Sequence, residues 1–215
     1  MITVSAFKSA PPIVQGLVRD LRVRWALEEA GLPYRTMLLN LGEHKLPDYR
    51  ALQPFGQVPV FEEDGLELFE SGAIVLHIGE RCDVLLPKNA AGRARATMWL
   101  LCALNTMEWP IWDYVRAKVF NADQEWAKLR LPEAEKFVAM RLSELAAVLG
   151  DRDYLEDRFT CGDLMMTAVL RILRGTDILD KYPTLKAYRE RCEARPAFQR
   201  ALAAHLADFE AKSAA

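Results

Sequence analysis

The sequence has no cysteine before Cys82 and no CxxC pair, and its four cysteines, Cys82, Cys102, Cys161 and Cys192, lie far apart. That spacing excludes a zinc ribbon and a dithiol redox motif, and it fits reduced thiols in a cytoplasm. Histidine is scarce too. His44, His77 and His205 share no spacing with the cysteines that would complete a metal site, so no metal is expected. No run of 18 apolar residues is present, and Met1-Ile2-Thr3-Val4 opens without the basic and then apolar stretches of a signal peptide. The expectation is a cytoplasmic protein without a membrane partner. Neither sign of charge dominates, with 28 Lys and Arg against 30 Asp and Glu. A nucleic acid partner would need a concentrated basic surface, so none is expected.

What the chain does have is 215 residues, 51% hydrophobic and 27% charged, enough for one large domain or two small ones with a core of their own. Glycine is uneven, with seven of the eleven in the first 79 residues. Tight turns therefore concentrate at the front, and the back reads as long helices. Met1 to Phe7 fits a strand, Gly16 to Ala30 has helical apolar spacing stopped by Gly31, and Tyr34 to Leu39 fits a second strand, which together make a parallel βαβ unit. Val58–Phe61 and Leu66–Phe69 flank Glu62-Glu63-Asp64-Gly65 and predict an antiparallel hairpin with a four-residue turn. Ser71 then predicts an N-cap for a helix reaching about Arg81.

Residues 83–91 read as a linker between a domain at 1–82 and an all-helical domain at 92–215. In the latter, Gly92 to Trp109 predicts one long helix ended or kinked by Pro110. Pro132 predicts the first turn of another, with Val138, Leu142, Leu145 and Leu149 as its buried stripe. Thr160 and Asp163 form a capping box in which Asp replaces the usual Glu or Gln, a structural role. Helices at about 184–194 and 197–210 finish the chain.

The chemistry concentrates between residues 42 and 74. Proline directly after Val58 at a strand start cannot donate to a sheet ladder, and it is a candidate for the cis isomer. A cis bond there turns the Val58 backbone outward, where its NH and CO can pair with an extended peptide as a short added strand. Thirteen residues after Gln57 comes Glu70-Ser71 at a helix mouth, where unpaired amides and the helix dipole favour a carboxylate. Ser71 adds a hydroxyl donor and Glu70 an acceptor for an ammonium group. Side by side, these suit the α-amino acid end of a peptide, while His44 and Lys45 suit a second carboxylate.

Gly42-Glu43-His44-Lys45-Leu46-Pro47, Gln53-Pro54-Phe55-Gly56-Gln57-Val58-Pro59 and Leu68-Phe69-Glu70-Ser71-Gly72-Ala73-Ile74 together resemble the glutathione S-transferase superfamily. The likeness is to plant phi and bacterial theta-like types, with Gln53 where Asn is commoner. The resemblance extends along the whole chain. It implies an α/β thioredoxin-like N-terminal domain, βαβ then ββα with a mixed four-stranded sheet, and an all-α C-terminal domain. It further implies glutathione as co-substrate, with no metal. Val58 and Pro59 would meet the cysteinyl part, Glu70 and Ser71 the γ-glutamyl end, and His44, Lys45 and Gln57 the glycyl carboxylate and backbone. The implied activity is transfer of the glutathione thiolate to a small hydrophobic electrophile, as in detoxification. An isomerase, a reductase or a non-catalytic assembly module are the alternatives. A homodimer is implied as well, with Phe55 as a candidate anchor on the neighbouring subunit.

The pattern departs from the family at the thiol-activating hydroxyl. Aligning Val23-Arg24-Trp25-Ala26-Leu27-Glu28-Glu29 with the usual VRxALEE segment puts Leu17 near that position. Ser9 is the only serine or threonine between Ser5 and Thr36, which makes it the catalytic candidate, with Ser5 or backbone amides near Gly16 as alternatives. A free thiol with a pKa of about 8.5 is only about 3% ionised at neutral pH. One hydrogen bond to the charged sulfur, of about 1.5–3 kcal/mol, would supply most of a shift of about two units. Trp109, Trp112 and Tyr114, with Trp99 nearby, are candidates for an apolar substrate pocket.

Overall fold

β1 (Ile2–Phe7) is the strand on which the first unit is built. In the computed structural model, which describes residues 1–210, β2 (Tyr34–Leu39) runs parallel to it on one side. The antiparallel β3 (Val60–Glu63) and then β4 (Leu66–Phe69) follow on the other, for a sheet order β2-β1-β3-β4. Five successive β1 residues, Ile2 to Ala6, are buried, as a central strand covered on both faces requires. The mixed sheet and the βαβ-ββα order are those of a thioredoxin-like domain.

Within this frame several elements differ from the sequence expectation. Helix α1 starts at Asp20 and ends at Ala30, because residues 16–19 form turns with Gly16 at φ 76° and Gly31 ends the helix in the left-handed region at φ 64°. The hairpin turn has two residues. Glu63 pairs with Leu66, so Asp64 (φ 50°) and Gly65 (φ 86°) alone reverse the chain, as Asp-Gly permits. Strand β3 begins at Val60, two residues later than expected, because the proline at 59 donates nothing to a ladder. A short helix, α2 (Pro47–Leu52), occupies most of the polar connection. Helix α3 (Ser71–Gly79) has Glu70, at φ 70°, as its N-cap residue, and Ser71 is its first helical residue.

The last helix, α9 (Pro196–Glu210), belongs to this first unit, which comprises residues 1–85 and the chain from 195 onward. It covers α1, with Trp25 edge-on to Phe198 at 4.8 Å between ring centres and both side chains buried. Aromatic burial of this kind supplies much of a small unit's stability.

The second unit, residues 86–194, contains α4 (Ala90–Leu101), α5 (Glu108–Val115), α6 (Glu125–Leu149), α7 (Cys161–Leu170) and α8 (Pro183–Glu193). Pro110 does not end the helical run. A π-helical segment, Cys102–Met107, precedes it and widens the turn in which an α-helix would clash with the ring, and the run continues through a second π segment to Phe120. Pro132 lies inside α6, which starts seven residues before it, while the stripe Val138, Leu142, Leu145 and Leu149 is buried as expected. Thr160 and Asp163 form the capping box. Asp163 also accepts from the Leu155 amide and the Tyr188 hydroxyl, each at 2.9 Å. A Cβ on Gly162 would sit 2.5 Å from Trp99 Cβ, so α4 and α7 can approach this closely only over glycine.

Candidate functional site

Antiparallel pairing of Val60 with Phe69 places Val58-Pro59 alongside Glu70-Ser71, one and two steps beyond the end of the ladder. The Val58–Pro59 bond is cis, as expected. Val58 lies outside the strands, and among the described residues its NH and CO have no hydrogen-bond partner, while its side chain is buried with Leu39, Tyr49 and Val60. Backbone groups without a partner beside a buried side chain are an edge to which a peptide can add.

A hydrogen-bonded web holds this edge in place. Ser5 Oγ accepts from the Val60 amide and pairs with the Tyr49 hydroxyl, each at 2.7 Å, and Tyr49 donates to the Gln57 carbonyl at 2.8 Å. Ser5 is buried and its hydroxyl is committed to this scaffold. Burial, the largest influence on it, raises the Tyr49 phenol above its ordinary range, so it stays a donor. Gln53, also buried, accepts from the amides of Phe55 and Gln57 with one carboxamide oxygen, at 2.7 and 3.3 Å. The extra methylene relative to Asn is accommodated in that position. Gly56 takes φ 62°, and a Cβ there would stand 2.8 Å from the His44 carbonyl oxygen. Glycine at this position lets the 53–57 turn and the 43–45 segment meet.

His44 and Lys45 sit on a single 3₁₀ turn, Glu43–Lys45. The Glu43 carboxylate accepts from the Asn40 amide and carboxamide, and those bonds hold its pKa below the usual range. His44 is half-buried edge-on to Phe7, with its Nδ1 buried and without a partner among the described residues. Lys45 and Gln57 are exposed. Glu70 is exposed with no ion-pair partner among the described residues, and Ser71 is buried at the start of α3, where the first amides lack intrahelical acceptors. Together these give one acidic acceptor and one hydroxyl beside a positive helix end, next to an open backbone edge.

One residue the sequence reading does not single out joins them. Arg22, buried on α1, donates from Nη1 to Ser71 Oγ at 3.4 Å. Its place among Arg19, Arg22 and Arg24 resembles an ordinary solvated helix face. A signal against that reading was the apolar flank on both sides, Leu21 and Val23.

Ser9 is half-buried in the loop after β1, and among the described residues its hydroxyl makes no hydrogen bond. The Gly16 amide does not end a helix. It donates to His205 Nε2 at 3.1 Å, so it is not free for an anion. None of the cysteines stands out as a nucleophile. Burial pushes the Cys161 thiol up to about 12 and raises Cys102 as well. Among the described residues no group of three or more His, Cys, Asp and Glu could hold a metal ion, and no helix is long and apolar enough to cross a membrane.

In the helical unit, Trp109 is 62% exposed and Trp112 is 38% exposed, tilted against Phe120, while Tyr114 is buried. The two tryptophans offer apolar surface, whereas Tyr114 is in the core of the unit. Trp99 is tied down through Nε1 to Glu156 at 2.9 Å.

Two family models match the chain, the glutathione S-transferase N-terminal domain at residues 14–80 and the C-terminal domain at residues 107–196. Among curated relatives, probable glutathione S-transferase GSTF2 of Oryza sativa subsp. japonica is 31% identical over 196 residues, 81% of this chain and 86% of the relative. Glutathione S-transferase F9 of Arabidopsis thaliana is 31% identical over 170 residues, covering 75% and 76%. Among solved structures, glutathione transferase F7 from Populus trichocarpa superposes with a TM-score of 0.82 at 25% identity, over 96% of this chain and 99% of that one.

Proposed function

Since the chain belongs to the glutathione S-transferase family, we propose that it binds glutathione on the Val58–Glu70 edge, activates the sulfur as a thiolate and transfers it to a small hydrophobic electrophile. The observation that carries this reading is the pairing register, which sets the unpartnered Val58 backbone next to Glu70 and Ser71. Glutathione is extended, with an α-amino acid at one end and a carboxylate at the other, and the site has that polarity. Val58 pairs with the cysteinyl backbone, and Pro59 holds the edge in position. Glu70 accepts from the γ-glutamyl ammonium, Ser71 and the α3 amides receive its carboxylate, and Arg22 adds positive charge behind Ser71. Lys45, His44 and Gln57 meet the glycyl end.

Ser9 donates to the sulfur, and its hydroxyl is uncommitted and so available for that bond. Ionisation sends the thiol proton to solvent. The thiolate then forms the new S–C bond as the leaving group departs with its electron pair, or as an activated double bond accepts the pair. Trp109, Trp112 and Tyr114 remain the candidates for holding the electrophile, with the two tryptophans supplying exposed apolar surface. The protein works in the cytoplasm as a homodimer, with the exposed Phe55 as an anchor on the partner.

Calorimetry with glutathione and turnover of an aryl halide test the reading together. Saturable binding with glutathione-dependent release of halide is the expected result. An absence of binding would overturn it, and binding without turnover across a panel of electrophiles would reduce the protein to a glutathione carrier.

A further inference from the structure

The loop between β1 and α1 carries Ser9. Inside the loop, Val14 donates to Pro11, Leu17 to Val14, and Gln15 Nε2 to the Ala10 carbonyl at 3.0 Å. At its front, Lys8 donates to the Leu39 carbonyl at the end of β2. At its back, Gly16 donates to His205 Nε2 on α9, a residue 189 positions away.

That bond fixes the state of the ring. The Gly16 amide can only donate, so Nε2 carries no proton, and Nδ1 carries the proton and donates to Asp20 Oδ2 at 3.0 Å. The same Asp20 oxygen accepts from Arg24 Nε at 2.8 Å, and Arg24 reaches Asp208 through Nη2. His205, Asp20 and Arg24 are buried, and Phe209 packs edge-on to the imidazole at 4.9 Å. The charged and titratable groups around the ring are therefore Asp20 and Arg24 from α1, Asp208 from α9 itself, and Tyr34 from β2, which interacts electrostatically with Arg24, Asp20 and Asp208. A buried imidazole used only for packing would not need its two nitrogens aimed at one backbone amide and one carboxylate.

We propose that His205 is a positioning residue for thiol activation: held as the Nδ1–H tautomer by Asp20, it anchors Gly16 and, through Gln15 and Ala10, sets the place of Ser9. The proposal rests on the glutathione transferase reading above. A donor helps a developing thiolate only when it is within reach of the sulfur, so a loop that wanders by about an ångström loses rate about ten- to a hundredfold. Glutathione is captured mainly by Val58, Glu70 and Ser71, which the latch does not touch, so affinity and activation separate.

The test compares the full-length protein with His205→Leu and His205→Gln, the second keeping an acceptor for the Gly16 amide. For His205→Leu the expected result is a kcat about tenfold lower with the KM for glutathione within about twofold. Its bound thiolate, followed by ultraviolet difference absorbance, should appear about one pH unit higher than in the wild type, with substantial recovery of both in His205→Gln. A kcat and thiolate midpoint unchanged in His205→Leu, or lost only in proportion to unfolding, overturns the proposal while leaving the transferase reading intact. Failure of the wild type to bind glutathione overturns both. Nitrogen-15 NMR of the wild-type imidazole tests the His205–Gly16 bond itself without any variant. The Nδ1–H tautomer with a slowly exchanging Gly16 amide is expected, and an Nε2–H tautomer would overturn the latch.

Discussion

At the scale of single residues, the proposed function gives Ser71 the holding of the tripeptide and Ser9 its activation. Ser71 Oγ stands between a helix end and Arg22. Replacing it with alanine removes a hydrogen bond to a charged group, about 1–3 kcal/mol, so Ser71→Ala should weaken glutathione binding by roughly 5- to 150-fold with the fold intact. Calorimetry checks this, and unchanged affinity would remove Ser71 from the site. Ser9→Ala should instead lower turnover at neutral pH and raise the pH at which the bound thiolate appears, while affinity holds. A variant with wild-type pH dependence would hand activation to backbone amides, since Ser5 is spent on Tyr49 and Val60. The cis bond before Pro59 and the placement of Val58 beside Glu70 and Ser71 were readable because each belongs to a short contiguous motif with a local mechanism. Arg22 and His205 were not. Their partners lie 49 and 189 residues away, and while the apolar flank of Arg22 hints at burial, no local feature of either residue identifies its partner.

Among the elements, legibility followed whether the determinants were local. The capping box of α7, the stripe on α6 and the αL stop of α1 come from residues within one or two turns of each other, and the structure has them where expected. Pro132 misled, and Pro110 did so as a helix end, because a proline's effect depends on the preceding turn. A widened π segment lets Pro110 ride inside a continuing helix, and α6 accommodates Pro132 in its interior. The turn at 53–57 is the element on which the site most depends, since it joins α2 to the open edge. Gly56→Ala would put a methyl group 2.8 Å from the His44 carbonyl at a positive φ, a geometry that residues other than glycine adopt at a cost of about 1–3 kcal/mol. The expected outcome is a lower melting temperature together with weaker glutathione binding, measured by calorimetry on the same sample. An unaffected affinity in a destabilised protein would detach the turn from the site.

For the whole molecule, the proposed homodimer draws on surface that the chain leaves uncovered. Phe55 is 67% exposed, with Phe69, itself exposed, edge-on to it at 6.2 Å. An aromatic ring in this state is a typical binding anchor. Sedimentation should give about twice the mass of the 24.4 kDa chain, and Phe55→Ala should move the equilibrium toward monomer without unfolding. A monomeric wild type at micromolar concentration would defeat the dimer, and a fully dimeric variant would discard only the anchor. The return of α9 to the first unit also has a consequence for the order in which the chain is made. The ribosome delivers the sheet, α1 and α3 early, but Phe198 and His205, which pack on Trp25 and on Asp20 of the Asp20–Arg24 pair, emerge only after the entire helical unit. Until then a buried type of ion pair and a large indole face water, so the first half to be synthesised is the last to be completed. A chain stopped at residue 194 should accordingly keep a protease-resistant helical unit while its first 85 residues are digested, and equal resistance of both units would show that α1 needs no cover.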